Sequence, residues 1–170
     1  FLTNLFRSFF MEDRAHQKLV KERFSEIANE KISDKLTNVD VCPGGGKSRN
    51  VQLAINELDK ECLAAGLIWL VPRSSLAHQA RRTFNKNSGP FHLENIVSPI
   101  KDSWGYVSTY QKFISKKSNI YCHQIASKMS NRPGMVLLVL DELHHCSSNK
   151  RQAWTNGVEN LKKALIKKNI

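Results

Sequence analysis

A chain of 170 residues is long enough to bury a substantial core without disulfides or metal, and it reads as one domain. No apolar run approaches the about 20 residues of a membrane span, and FLTNLFRSFF is short and interrupted by Arg7, so neither a membrane helix nor a signal peptide is predicted. The net charge of +11, from 26 Lys and Arg against 15 Asp and Glu, points to a polyanionic partner, nucleic acid first, with a merely solubilising surface as the plainer alternative.

The predicted elements alternate between helix and strand. Leu19, Val20, Phe24 and Ile27 place one apolar helical face between Ala15 and Glu30. TNVDV then reads as a short strand running into a glycine cluster, VCPGGGKS. Beyond it, Val51, Ala54, Ile55, Leu58 and Cys62 recur at helical spacing, with Gly66 as the expected stop. LIWLV, Leu67 to Val71, is an apolar strand ended by Pro72, expected between the loop strand and MVLLVL in the sheet. A helix follows with Leu76, Ala77, Ala80 and Phe84 on one side, then a loop around residues 87–90.

Leu93 to Ser98 and Tyr106 to Thr109 read as two further strands. One or two helices fill the stretch from Gln111 to Met129, before a turn at residues 131–134. MVLLVL, Met135 to Leu140, has the continuous apolar character of a parallel strand buried on both faces. The last helix carries Trp154, Val158, Leu161 and Leu165 on one stripe with lysines opposite. Such alternation predicts an α/β domain with a mainly parallel sheet and helices on both faces.

Cys42, Cys62, Cys122 and Cys146 are widely separated, which points to a reducing, cytoplasmic or nucleoid-associated location. Neither His144-His145-Cys146 nor Cys122-His123 has a common zinc spacing, so no zinc is expected.

Two motifs carry chemistry. The first ends in Gly44-Gly45-Gly46-Lys47-Ser48 and approaches the phosphate-loop pattern G-x-x-x-x-G-K-[ST], except that Val41 stands where the first glycine belongs. Glycines let backbone N–H groups approach phosphate oxygens, and the helix that follows adds its positive end. Pro43 and the three glycines shape the loop, Lys47 reaches toward the β- and γ-phosphates, and Ser48 offers a hydroxyl to Mg2+. A glycine-rich turn that happens to precede Lys-Ser is the bland alternative.

The second motif is VLLVLDELHH, where an apolar strand ends in Asp141-Glu142 at the sheet edge that binds ligands in open α/β folds. Asp141 suits Mg2+, and Glu142 suits a water that attacks the γ-phosphate. Each motif supplies what the other lacks, so together they predict ATP with Mg2+, Lys47 and Glu142 being the catalytic candidates.

VCPGGGKS followed by DELHH resembles motifs I and II of superfamily 2 helicases and translocases, in the D-E-x-H form of Asp141, Glu142, Leu143 and His144. RAHQ, ending at Gln17, resembles the glutamine motif that reads the adenine edge. VPRSSLAHQ resembles motif Ia through Pro72, Leu76 and Gln79, and VSTYQKF resembles the T-Y-Q stretch through Thr109, Tyr110 and Gln111. The pattern is closer to restriction-enzyme and repair helicases than to strict DEAD-box RNA helicases.

The resemblance implies a three-layer RecA-like P-loop NTPase domain over residues 1–170, with residues 1–35 as a leading helical segment holding the glutamine motif. It implies nucleic-acid backbone contacts, to DNA or RNA, from Arg73, Ser74, Gln79 and Thr109, and coupling of the two sites through His144. Only 28 residues follow Glu142 (170 − 142), and no Ser-Ala-Thr stretch is among them. The chain, whose first residue is Phe, therefore reads as the first motor domain of a longer ATP-dependent helicase or translocase, weak or inactive as an ATPase without a second RecA-like domain. Two alternatives stay open: a nucleotide- and nucleic-acid-binding module without turnover, and a P-loop phosphotransferase.

Overall fold

The computed structural model describes residues 14–29, 46–87, 89–97, 100–115, 117–142 and 148–168. The predicted strand TNVDV, and Pro43, Gly44, Gly45 and His144, lie outside the described residues.

In chain order the elements are α1 (Ala15–Ala28), α2 (Lys47–Lys60), β1 (Ala64–Val71), α3 (Ser74–Asn87), β2 (Leu93–Asn95), β3 (Gly105–Thr109), α4 (Tyr110–Ile114), α5 (Ser118–Met129), β4 (Met135–Leu140) and α6 (Ser148–Ile166). The four strands form one sheet in the order β2-β3-β1-β4, and every pairing in it is parallel. The chain is thus an α/β fold with helices on both faces of a parallel sheet, as the alternation of its sequence predicts.

Period-two side-chain geometry divides β1 between two cores. Leu67, Trp69 and Val71 point into a cluster with Val51 and Ile55 of α2 and Ala77, Ala80 and Phe84 of α3. Ile68 and Leu70 point the other way, into a cluster with Phe113, Ile125, Met129, Trp154, Val158 and Leu161 from α4, α5 and α6. Leu67, Ile68, Leu70 and Val71 are completely buried, which explains an unbroken apolar run with no polar face. Fully burying one such side chain contributes about 1.5–3 kcal/mol, so this strand anchors the domain. A third cluster joins Val20, Phe24 and Ile27 of α1 to Leu53, Ala54 and Leu58 of α2.

LIWLV lies directly beside MVLLVL as expected, and its other edge pairs with β3, while the loop strand expected on its far side lies outside the described residues. Three expectations change. Gly66 is not the stop of α2. That helix ends at Lys60, Cys62 takes the left-handed turn with φ of 56°, and Gly66 lies inside β1. Glycine is needed there for contact, since a Cβ would meet the Trp104 carbonyl oxygen at 3.0 Å and Met129 Cε at 3.2 Å. Strand β4 packs on both faces but is half-buried along its length, because among the described residues it pairs only with β1. Finally, among the described residues of the stretch from Leu93 to Ser98, only Leu93–Asn95 is strand.

This topology creates a switch point. After β1 the chain crosses the α2/α3 face toward β3 and β2, and after β4 it continues into α6 on the opposite face. The connections leaving β1 and β4 therefore diverge, and the carboxyl ends of these neighbouring strands lie at the switch point where such sheets bind ligands.

Candidate functional site

Asp141 and Glu142 follow directly on β4 and occupy that switch point. The Asp141 N–H donates to the Leu70 carbonyl at 2.9 Å, continuing the sheet by one residue past the strand. Glu142 then turns away with φ of 56°, a left-handed conformation that side chains other than glycine rarely adopt. Backbone in that region concentrates where function over-determines it.

Gly46 opens α2 from the other side. It is the N-cap of the helix, with φ of 88° and ψ of 40°. Lys47 and Ser48, the first two helical residues, are half-buried. The Lys47 ammonium donates to Asp141 Oδ1 at 3.0 Å and to Glu142 Oε1 at 3.1 Å. Burial would push the Lys47 ammonium down, but the hydrogen bonds and charges of Asp141 and Glu142 outweigh that effect and hold it above its ordinary value. The end of the glycine loop and the end of β4, far apart in sequence, thus meet through one cation and two carboxylates.

Gln17 completes this corner. It is buried in the first turn of α1, where its Oε1 accepts the Arg14 N–H at 2.9 Å. Its Nε2 abuts Gly46 so closely that a Cβ there would come to 3.0 Å. A glutamine 29 positions before Gly46 (46 − 17) therefore touches the phosphate-loop end directly.

The other candidates form a second group on the same edge of the sheet. Thr109 ends β3 opposite Val71, the last residue of β1. Arg73 and Ser74 follow on that strand and are exposed. Gln111 Nε2 donates to the Pro72 carbonyl at 3.1 Å and ties the two strand ends together. Gln79 is exposed in the second turn of α3.

One participant was not foreseen. Tyr110 Oη donates to the Asp141 carbonyl at 3.1 Å, and its ring stacks on Trp154 with centroids 4.3 Å apart and planes 7° from parallel. The T-Y-Q resemblance marks the position, but only the tertiary fold brings β3 and β4 ends together to give the hydroxyl its partner.

The donor chemistry fits Mg2+. Hard oxygen ligands are what that ion takes, and the Asp141 carboxylate and Ser48 hydroxyl are of that type, each belonging to one of the two converging elements. Among the described residues no cluster of three or more His, Cys, Asp or Glu side chains is placed to hold a metal by itself. No helix among the described residues is long and apolar enough to cross a membrane.

Comparison with curated proteins and with solved structures gives no match. A family model does match, over residues 10–168, and it is that of ResIII, the type III restriction enzyme res subunit. With nearly the whole chain covered, and with a parallel sheet carrying helices on both faces, the protein belongs to the ResIII family and is a RecA-like motor domain of the superfamily 2 helicase type.

Proposed function

We propose that this domain binds Mg-ATP at the corner formed by Gly46, Lys47, Ser48, Asp141 and Glu142, as the ATP-binding motor domain of a helicase or translocase. The observation that carries this reading is the Lys47 ammonium bridging both carboxylates at 3.0 and 3.1 Å. This pairing brings the lysine that ends the glycine loop and the acids that end β4 to one place, as a single phosphate–metal ligand requires. Gln17, packed on Gly46, is assigned to the nucleobase side of that ligand, and Pro43, Gly44 and Gly45 to the same loop by sequence.

When ATP arrives, Lys47 exchanges carboxylate oxygens for phosphate oxygens. Asp141 and Ser48 are the residues that would hold Mg2+, which would supply charge neutralisation to the phosphates. Glu142 orients the attacking water and takes its proton, a task that suits a carboxylate freed from its lysine. Glu142, with its left-handed backbone, carries Oε1 to 3.1 Å from Lys47 Nζ.

Nucleic acid, DNA or RNA, is assigned to the edge formed by Arg73, Ser74, Gln79 and Thr109, which supplies one cation and several hydroxyl and amide donors suited to backbone phosphates. His144 is assigned to coupling between the two sites, and a second RecA-like domain to closing over the nucleotide.

Titration of the chain with a fluorescent ATP analogue tests the core of this proposal. Wild-type protein is expected to bind in Mg2+, and Lys47→Ala to bind about 10- to 100-fold more weakly, as the loss of a charge-assisted hydrogen bond implies. Glu142→Gln is expected to keep binding while losing nucleic-acid-stimulated hydrolysis in any form of the protein that shows it. Hydrolysis that survives Glu142→Gln would leave a binding module without turnover as the better reading.

A further inference from the structure

Three strand ends converge on the candidate site, and three consecutive residues lace them together. Thr109 pairs with Val71 at the end of β1, Tyr110 bonds to the Asp141 carbonyl beyond β4, and Gln111 bonds to the Pro72 carbonyl after β1. The middle bond is the one that reaches the carboxylates.

Consider what fixes the turn at Asp141 and Glu142. The sheet holds the Asp141 N–H, through Leu70, but sheet pairing does not hold the far side of that residue. The Asp141 carbonyl defines the plane of the peptide from which Glu142 projects, and Glu142 leaves that plane with φ of 56°. Lys47 is a poor candidate for holding the turn, because its side chain is 41% exposed and sits on a flexible four-carbon stem. Tyr110 is the opposite case. It is 1% exposed, and its ring lies flat against Trp154, itself 5% exposed, so the hydroxyl has almost no freedom to move. Phenylalanine would fill the same stack equally well, so packing does not account for the hydroxyl. A buried tyrosine needs a partner for its O–H, and here that partner is the carbonyl preceding the left-handed residue.

We propose that Tyr110 is a positioning residue for the Asp141–Glu142 turn: its hydroxyl, immobilised by the stack on Trp154, pins the Asp141 carbonyl and thereby the backbone that aims both carboxylates at the phosphate loop. Its consequence for ligand binding rests on the nucleotide reading given above. Its structural content does not.

The test is Tyr110→Phe, which deletes one oxygen and keeps the stack. By NMR, the backbone chemical shifts of Glu142, which report its φ, are expected to move away from left-handed values, while those of Leu67 to Leu70 stay as in the wild type and the melting temperature falls only by the about 2–4 °C that one lost hydrogen bond implies. The Kd for a fluorescent ATP analogue is expected to rise about fivefold in Mg2+, the loss of one hydrogen bond, and to stay unchanged in EDTA. That asymmetry separates positioning from general weakening, because Asp141 matters to the metal and the loop amides do not. Unchanged Glu142 shifts overturn the proposal, as does an equal loss of affinity with and without Mg2+. A wild-type chain that binds no nucleotide defeats the nucleotide reading alone, and the Glu142 shifts still decide the role of Tyr110.

Discussion

Lys47 Nζ lies 3.0 Å from Asp141 Oδ1, although 94 residues separate the two in the chain. Because the carboxylates raise the pKa of Lys47, the sign of its pH linkage is set. The ion pairs stabilise the fold fully below the ordinary lysine value of 10.5, and the contribution is lost as pH rises through the higher folded-state value. The difference in stability between wild type and Lys47→Met, from chemical denaturation, is therefore expected to hold constant from about pH 7 to about pH 9 and to shrink only in stronger alkali. A difference that fades already near neutrality would mean that the lysine is not held by these acids.

Gly46 faces two separate constraints. Its φ of 88° suits glycine, and its missing Cβ makes room for Gln17 Nε2. Gly46→Ala is expected to destabilise the chain by about 1–2 kcal/mol from the backbone alone, lowering the melting temperature by about 2–8 °C for a domain of this size. The double variant Gly46→Ala with Gln17→Ala is expected to regain only a small part, since it removes the side-chain contact but not the backbone strain. Full recovery in the double variant would show that the side-chain contact, not φ, demands glycine.

These positions also show how far the sequence carries. Lys47, Asp141 and Glu142 were legible because phosphate loops and acid-terminated strands place fixed residue types at fixed spacing. The apolar run of β1 was legible because a strand buried on both faces has no polar side to show. What escaped depended on neighbours. Gly66 reads as a helix stop in any local window, and only its contact with the Trp104 carbonyl explains it as a strand residue. The adjacency of β1 and β3 follows from pairing between residues 38 positions apart (105 − 67), which no local pattern encodes. Tyr110 shares this difficulty, because its partner carbonyl lies just past the end of β4, 31 residues away.

Glu142 offers a test of strain against function. Its left-handed backbone costs about 1 kcal/mol or more for a residue with a Cβ, and glycine escapes that cost. Glu142→Gly and Glu142→Ala both delete the carboxylate, so comparing them isolates the backbone. The glycine variant is expected to be more stable by about 1 kcal/mol, or about 2–4 °C in melting temperature, with both variants equally impaired in hydrolysis. Equal stabilities would show that the turn relaxes to an ordinary conformation once the carboxylate no longer reaches Lys47.

Arg73 supplies the corresponding test for the nucleic-acid edge. It is exposed just past the end of β1, beside Ser74 and next to the strand that ends in Thr109. In the proposed function this cation meets backbone phosphates rather than base edges, so its contribution should be independent of sequence and sensitive to salt. Arg73→Ala is expected to weaken binding of single- and double-stranded oligonucleotides of unrelated sequence to a similar degree. The slope of log K against log salt, measured by fluorescence anisotropy, should fall in magnitude by about 1, the signature of one lost phosphate contact. If the slope stays the same while affinity falls, Arg73 acts through the fold. If neither changes, the phosphate-binding face lies elsewhere among the domain's many lysines and arginines.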